Sequence, residues 1–279
     1  MASWLRSVLV DLSGTIHIEN TVIPGSVDAI KKLRESGLDL RFITNTTKES
    51  KRTLLDRLNN IGFDIQAHEV FTSLSAARQL VERRNLRPML LLQPDALQDF
   101  NEIDCSNPNC VVVGLAPDCF NYDTLNKAFR LILDGHPFIA IHKGRYYRRG
   151  DGMALGPGPF VAALEYCTNA EAEVVGKPEP AFFHQVLNDL GCDAQSSVMI
   201  GDDVRGDIGG SQVVGIKGIL VKTGKYREGD EKCLSEPPFA VCSDFITAVN
   251  YILSFLPSPV KNHLKSSKLD VKGNCSESI

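Results

Sequence analysis

Two stretches of the sequence end an apolar run at acidic residues, and their types and order suit divalent-metal chemistry. Residues 8–10 are apolar and stop at Asp11, after which Gly14 lies in a polar turn; residues 198–200 are apolar and lead through Gly201 to Asp202. Short apolar runs bounded by turn residues are typical of buried strands in a parallel sheet. Since ligands bind at the carboxyl ends of such strands, two neighbouring strands would bring both carboxylates into one metal site.

Composition limits the classes of protein to consider. The chain has 279 residues, 43% of them hydrophobic, which is enough for a substantial core in one large or two modest domains. A net charge of −4 argues against a general nucleic-acid binder. No apolar run approaches a membrane span, and the residues before the first strand leave no room for a signal peptide. The eight cysteines are scattered without a C-x-x-C pair, so we expect reduced thiols and a cytoplasmic protein.

The order of predicted elements indicates a doubly wound, parallel-sheet (Rossmann-like) α/β fold. Strands are predicted near residues 8–11, 38–43 and 70–72, with helical spacing between and after them. The spacing of Thr46 and Glu49 predicts a capping box at the start of the second helix. Residues 172–176 are predicted to return the chain to this sheet, which then continues with strands near 198–201 and 218–221.

The middle of the chain contains a second series of apolar runs, which predicts a second domain. Apolar runs near residues 89–92, 110–114 and 138–142 read as strands, with a helix over 122–133. We therefore predict a core of residues 1–78 and 169–256, an inserted smaller α/β cap domain of 79–168, and a disordered tail of 257–279 that is rich in Pro, Ser, Lys and Asn. The basic run 143–149, which includes Tyr146 and Tyr147, is either a solvated hairpin of the cap or a cationic loop that faces substrate.

Four short motifs resemble, in order, those of the haloacid dehalogenase superfamily. They are Asp11-Leu-Ser-Gly-Thr, Thr44-Asn45, Lys177-Pro178 and Gly201-Asp202-Asp203-x-x-x-Asp207. The roughly 130 residues between the second and third motifs match members that carry a large α/β cap. Each motif alone is weak, but four in order, each at a predicted strand end, form a specific pattern that covers the chain before the tail.

This resemblance implies a phosphohydrolase with Asp11 as the catalytic nucleophile, which forms an aspartyl-phosphate that water later hydrolyses. It assigns substrate contacts to Asp11, Leu12, Ser13, Thr44, Asn45 and Lys177. It assigns a Mg²⁺ ion to Asp11, the main-chain carbonyl of Ser13 and Asp202. The ion would also relieve the repulsion among clustered carboxylates.

Two further acidic residues are left with alternatives. Asp203 and Asp207 either support the metal site from just outside its ligands or supply ordinary negative charge at a helix N-terminus. Thr44 and Asn45 precede a predicted helix, where they either bind phosphate oxygens or act as an N-cap.

One residue departs from the family pattern and bears on the substrate. Most phosphatases of this superfamily have a second Asp two residues after the nucleophile, as general acid for the leaving group, whereas this chain has Ser13. Loss of a general acid costs about 10²–10⁴-fold in rate, most of all for poor leaving groups. We therefore expect a small phosphorylated substrate with a good leaving group: pyrophosphate, a phosphoramidate or an aryl phosphate. The alternative is a phosphate-binding regulatory protein with weak turnover. The resemblance also implies a homodimer formed through the cap.

Overall fold

The computed structural model describes residues 4–149 and 151–257, which form two parallel sheets and two small hairpins. The strands are, in chain order, β1 (Ser7–Asp11), β2 (His17–Ile18), β3 (Thr21–Val22), β4 (Asp39–Thr44), β5 (Val70–Thr72), β6 (Pro88–Leu91), β7 (Cys110–Val113), β8 (Phe138–Ala140), β9 (Tyr146–Arg149), β10 (Gly152–Leu155), β11 (Glu173–Val174), β12 (Ser197–Gly201), β13 (Lys217–Val221) and β14 (Ala240–Cys242). The α-helices are α1 (Ser26–Glu35), α2 (Lys51–Asn60), α3 (Ser73–Arg83), α4 (Tyr122–Leu133), α5 (Gly158–Thr168), α6 (Pro180–Leu190), α7 (Gly210–Val213) and α8 (Phe245–Leu253).

The first sheet has six parallel strands in the order β14-β13-β12-β1-β4-β5. β1 lies in its centre, with Val10 opposite Ile200 of β12 on one side and Phe42 of β4 on the other. Alternate side chains of a strand point to opposite faces. Accordingly, Val8 and Val10 pack towards α1, α2 and α8, whereas Leu9 packs towards α6. Both faces are therefore covered by helices, which confirms the predicted doubly wound α/β fold.

The second sheet is inserted in the chain between β5 and β12 and has four parallel strands in the order β11-β8-β7-β6. One face packs against α3 and a 3₁₀ helix (Ala96–Phe100), and the other packs against α4 and α5. The expected inserted, smaller α/β unit is therefore present. Its predicted limits, like the rest of the predicted division of the chain, stay a prediction.

The prediction for residues 172–176 is wrong. β11 pairs in parallel with β8, with Glu173 opposite Ile139, so this segment completes the second sheet and lies beyond the predicted end of the cap at residue 168. An apolar run shows that a strand is buried, but not which sheet it joins. The first sheet resumes only at β12.

Other expectations have different outcomes. The β2–β3 hairpin and the edge strand β14 have too few residues to show a period in the sequence, and neither was predicted. The seven cysteines in the described part of the chain are free thiols. In that same part, each helix falls short of the length and apolar character needed to span a bilayer. The predicted tail lies outside the described residues, apart from Pro257.

Candidate active site

Asp11 and Asp202 lie side by side because β1 and β12 are adjacent and parallel. Asp11 is the last residue of β1, and Asp202 directly follows β12; both are buried, with 6% and 1% of their surface exposed. Carboxylate oxygens of Asp11, Asp202 and Asp207 lie within 4.8 Å of one another. The juxtaposition expected from the two apolar runs is therefore present in the structure, with Asp207 as a third member.

Lys177 is the cation that balances part of this negative charge. Its Nζ donates to Asp11 Oδ1 at 2.5 Å and to Asp207 Oδ1 at 2.7 Å. Burial alone lowers the pKa of Lys177, but the two carboxylates outweigh that effect and raise its pKa above the usual range. Lys177 is therefore charged. The preceding Gly176 and the cis Lys177–Pro178 bond lie at the junction between the two sheets.

The pKa values of the other two carboxyls are raised in spite of the nearby lysines, chiefly by burial. Burial, and then repulsion by Asp11, raise the pKa of Asp202 well above its usual range. Burial raises the pKa of Asp207 to about 7, although Lys177 acts in the opposite direction. A divalent cation among these oxygens would keep both groups ionised. Three hard carboxylates are a donor set that suits Mg²⁺, so the residues present fit that ion.

Glycines allow the loops to close around Asp202. A Cβ atom at Gly14 or at Gly224 would lie 2.2 Å from Asp202 Oδ2, and both glycines have positive φ angles, of +99° and +53°. Lys225 N–H donates to the same Oδ2 at 2.7 Å. Only glycine combines that backbone conformation with the required space, so these two positions fix the approach of both loops to the carboxylate.

The structure resolves the alternatives for Asp203 and Asp207 differently. Asp203 caps a short π-helix (Val204–Gly209) by accepting from Arg205 N–H at 3.1 Å and Gly206 N–H at 2.9 Å. It also pairs with Lys225 Nζ at 3.1 Å. Asp203 is therefore the helix-terminus charge of the two, whereas Asp207 belongs to the buried carboxylate cluster.

Thr44 and Asn45 follow β4, next to β1. Thr44 is buried and its Oγ1 accepts from Thr46 N–H at 3.2 Å. Asn45 brackets the main chain of Lys177: its Nδ2 donates to Lys177 O at 2.7 Å, and its Oδ1 accepts from Lys177 N–H at 2.9 Å. Asn45 therefore positions the turn after β11 that carries Lys177. A substrate contact for either residue stays a prediction.

The predicted capping box of Thr46 and Glu49 is wrong. Helix α2 begins at Lys51, and its N-cap is Ser50, whose hydroxyl accepts from Thr53 N–H. Glu49 instead pairs with Arg57 at 2.5 Å. The S/T-x-x-E spacing is typical of a capping box, but the same spacing also occurs in a loop. Here Thr46 and Glu49 belong to the loop that precedes the true N-cap, Ser50. Thr44 is consequently separated from the N-cap, Ser50, by a five-residue segment, 45–49.

Ser13 and Leu12 differ in exposure. Leu12 is buried, so only its main chain faces the site, whereas Ser13 is exposed at the mouth of the turn. The turn is held by Gly14 N–H, which donates to His17 O at 2.7 Å. His17 is buried, and burial followed by repulsion from Arg57 lowers its pKa to about 4. It therefore supports the turn as a neutral side chain.

The basic run at 143–149 forms part of a hairpin, β9–β10, that touches two loops of the first sheet. Lys48 Nζ lies 4.0 Å from the ring centre of Tyr147, and the Arg227 guanidinium lies 4.8 Å from the ring centre of Tyr146. Lys48 follows the Thr44 turn, and Arg227 follows Lys225. The hairpin therefore spans the two loops that flank the cluster, whereas Lys143 pairs with Glu165 within the second-sheet region.

The residues that sequence reasoning missed lie in three loops, which follow β1, β13 and β8. Thr15 Oγ1 lies 3.3 Å from Asp11 Oδ2 and 3.4 Å from Asp202 Oδ1. Lys225 follows β13, and His142 follows β8. Burial, and then Lys225 and Lys177, lower the pKa of His142 to about 3, so it is neutral. The strand-end rule that identified Asp11 applies equally to the loop after β13 and would have found Lys225.

Comparison with known proteins gives consistent relationships. A family model described as haloacid dehalogenase-like hydrolase matches residues 8–106, and a HAD-hydrolase-like model matches residues 174–248. The chain is 58% identical to haloacid dehalogenase-like hydrolase domain-containing protein 2 of Homo sapiens, over 90% of this chain and 97% of that one. It is 41% identical to phospholysine phosphohistidine inorganic pyrophosphate phosphatase of Danio rerio, over 90% and 95%.

A solved structure supports the same relationship. The 4-nitrophenylphosphatase of Thermotoga maritima superposes with a TM-score of 0.82 at 26% identity, over 88% of this chain and 97% of that one. The match extends over both sheets, since it covers most of each chain. The resemblance inferred from the four motifs is therefore confirmed.

Proposed function

The chain belongs to the haloacid dehalogenase-like hydrolase family, and we propose that it is a Mg²⁺-dependent phosphatase that acts through an aspartyl-phosphate intermediate. The observation that carries this proposal is the buried Asp11 carboxylate at the end of β1, in contact with Lys177 and beside two further carboxylates. In this arrangement one carboxylate is available as a nucleophile while fixed charges surround the group under attack.

In the proposed reaction, a carboxylate oxygen of Asp11 attacks the phosphorus atom, and the bond from phosphorus to the leaving-group oxygen or nitrogen breaks. The leaving group departs with the electron pair of that bond. Water then hydrolyses the acyl phosphate, which restores the Asp11 carboxylate and releases inorganic phosphate. Lys177, 2.5 Å from Asp11, stabilises the negative charge on the transferring group.

The remaining residues hold the phosphoryl group and the ion. Thr44 Oγ1, at the end of β4, and the main-chain N–H groups of Leu12 and Ser13, directly after β1, would contact phosphate oxygens. Asp11, Asp202 and the main-chain carbonyl of Ser13 would bind Mg²⁺, with Asp207 next to them. When bound, the ion neutralises charge on the phosphoryl oxygens.

We propose substrates with good leaving groups, because Ser13 has no carboxylic acid with which to protonate a poor one. The related proteins point to the same class: one is named for phospholysine, phosphohistidine and inorganic pyrophosphate, and a structural relative is named for 4-nitrophenyl phosphate. The same residue favours a second candidate, a phosphate-binding regulatory protein with weak turnover.

We also propose a homodimer formed through the second-sheet region, which sedimentation at micromolar concentration tests, and a cytoplasmic location.

The test is phosphate release from pyrophosphate, phosphoimidazole and 4-nitrophenyl phosphate by the purified protein, with Mg²⁺ and with a chelator. We expect release that requires Mg²⁺ and is much slower for glycerol phosphate, an alkyl ester. Release that is equally fast in the chelator would contradict the metal-dependent proposal. Binding of inorganic phosphate without release from any substrate would favour the regulatory protein.

A further inference from the structure

Two carboxylates from the second-sheet region cap the N-terminus of α2, a helix of the first sheet. Ser50 N–H donates to Asp95 Oδ2 at 2.8 Å, and Thr53 Oγ1 donates to Asp95 Oδ1 at 3.1 Å. Lys51 N–H donates to Asp99 Oδ1 at 3.1 Å, with Oδ2 at 3.2 Å. The first amide groups of a helix have no partner within it, and negative charge there is favourable.

The two carboxylates are presented by a 3₁₀ helix (Ala96–Phe100) that is fixed to the second sheet. Ala96 and Phe100 are buried against that sheet, with 0% and 2% of their surface exposed. Asp95 precedes this helix and Asp99 lies within it, and both point away from the second sheet towards α2. The contact therefore joins a 3₁₀ helix that packs on the second sheet to α2, which packs on the first sheet.

The chain between this contact and the active site is short and held at several points. Asn45 brackets Lys177, as described above, and Thr47 Oγ1 accepts from Leu115 N–H of the second-sheet region at 2.9 Å. Ser50 follows three residues later. The position of the Thr44–Asn45 turn is therefore determined at one end by the turn that carries Lys177 and at the other by Leu115 of the second-sheet region.

We propose that Asp95 and Asp99 are positioning residues, which fasten α2 to the second-sheet region and thereby fix the Thr44–Asn45 turn that holds the phosphoryl group. The part of this inference that concerns the phosphoryl group rests on the proposed function, whereas the contact between α2 and the second-sheet region does not. The same contacts occupy the amide groups of Ser50 and Lys51 at the start of α2, so these two groups are not available to bind phosphate.

The direct test is amide hydrogen exchange in the full chain, which needs no activity. In Asp95→Ala/Asp99→Ala we expect exchange at Ser50 and Lys51 to rise by about 10- to 100-fold, since each amide loses a hydrogen bond to a charged group. Asp99→Asn keeps the shape and an acceptor oxygen, so it serves as the milder variant if the double variant unfolds. Asp104→Asn is the matched control, because Asp104 accepts from Ser106 within its own loop.

The functional test is the affinity for inorganic phosphate by calorimetry and the KM for 4-nitrophenyl phosphate. Misplacing a substrate-holding group costs up to about 100-fold, so we expect both constants to weaken by about 3- to 100-fold in the double variant, with a smaller change in kcat. Unchanged exchange at 50–51 would overturn the contact, and increased exchange with unchanged phosphate affinity would overturn the positioning role. A wild-type protein without turnover would contradict the proposed function alone, because exchange and phosphate binding still decide this inference.

Discussion

The buried side and the open side of the site are built in different ways. On the buried side, the side chains of Lys177, Asp11 and Asp207 are 4%, 9% and 2% exposed, and Lys177 contacts both carboxylates directly. On the open side, Ser13, Lys48 and Arg227 are exposed, and the latter two face tyrosine rings of the β9–β10 hairpin. The buried side joins Asp11 at the end of β1 to Lys177 from the turn after β11 and to Asp207 from the π-helix. The open side is assembled from exposed loop residues and the β9–β10 hairpin.

This difference separates two functional tasks. Buried charges that are held by direct ion pairs suit phosphoryl transfer, which depends on positioning and electrostatic stabilisation and is the same for every substrate. In the proposed reaction, the leaving group would depart on the side of these exposed residues. We therefore expect changes on the buried side to affect all substrates alike, and changes on the open side to alter the preference among them.

The largest expected effect is at the centre of the buried side. Asp11→Asn keeps the shape of the side chain but removes the nucleophile, so we expect turnover to fall by at least about 10⁴-fold for every substrate. Circular dichroism and thermal unfolding check that the variant is folded. Asp39→Asn is the matched control: Asp39 is exposed at the opposite end of the sheet, as the first residue of β4. Turnover of Asp11→Asn close to wild type would show that another group is the nucleophile.

The same division explains what could be predicted from the sequence. The apolar runs before Asp11 and Asp202 identify strands, and adjacency in a parallel sheet then brings their ends together. Neither step needs a long-range side-chain contact. By contrast, the contacts of Asp95 and Asp99 with α2 join residues more than 40 positions apart whose spacing has no local meaning. The sheet membership of Glu173–Val174 was mispredicted for the same reason, since it depends on which strand lies beside it.

The second prediction concerns Ser13, on the open side. Without a general acid, the rate should fall steeply as the pKa of the leaving group rises, so aryl phosphates react and alkyl phosphates hardly do. Ser13→Asp should increase turnover of an alkyl phosphate by at most about 10²–10⁴-fold, because the new carboxylic acid can protonate the departing alkoxide. It should help an aryl phosphate little, since phenolate leaves without a proton.

The measurement is kcat/KM across a series of aryl and alkyl phosphates for wild type, Ser13→Asp and Ser13→Ala. Ser13→Ala should keep the dependence of the wild type on leaving-group pKa. A flat dependence in the wild type would mean that another group supplies the proton or that chemistry does not limit the rate. A Ser13→Asp variant that is inert to all substrates would favour the phosphate-binding regulatory protein.

The smallest expected effect is on stability, and it belongs to the buried side alone. The pKa values of Asp202 and Asp207 are raised in the folded protein, the latter to about 7, so without metal the fold retains protons that the unfolded chain releases. Their contribution to stability is therefore complete below about pH 4 and is lost as the pH rises through the raised values. Lys177 and Lys225 are charged in both states below pH 8 and add no slope there.

Two histidines act in the opposite direction and define the range of pH to use. The pKa values of His17 and His142 are lowered to about 4 and about 3, so the unfolded chain takes up protons below about pH 6.5 and stability is lost as the pH falls. Their effect opposes that of the carboxyls between pH 4 and 6.5. In the unfolded chain the two histidines are half protonated at pH 6.5 and largely neutral above about pH 7.5. Between pH 6.5 and 8 their opposing effect therefore fades, and the effect of the two carboxyls dominates.

We therefore expect the Tm of the metal-free protein to fall between pH 6.5 and 8, and Mg²⁺ to remove that fall by replacing the protons on the carboxylate cluster. Each group contributes at most about 1.4 kcal/mol per pH unit, which corresponds to a few degrees for a chain of this size. Thermal unfolding in a chelator and in Mg²⁺ at three pH values measures the effect. Asp202→Asn carries no charge at that position and should show a smaller slope and a smaller response to Mg²⁺. A Tm that is flat in the chelator would mean that Lys177 and Lys225 alone keep the carboxylates ionised, and that the buried side does not need a metal ion to balance its charge.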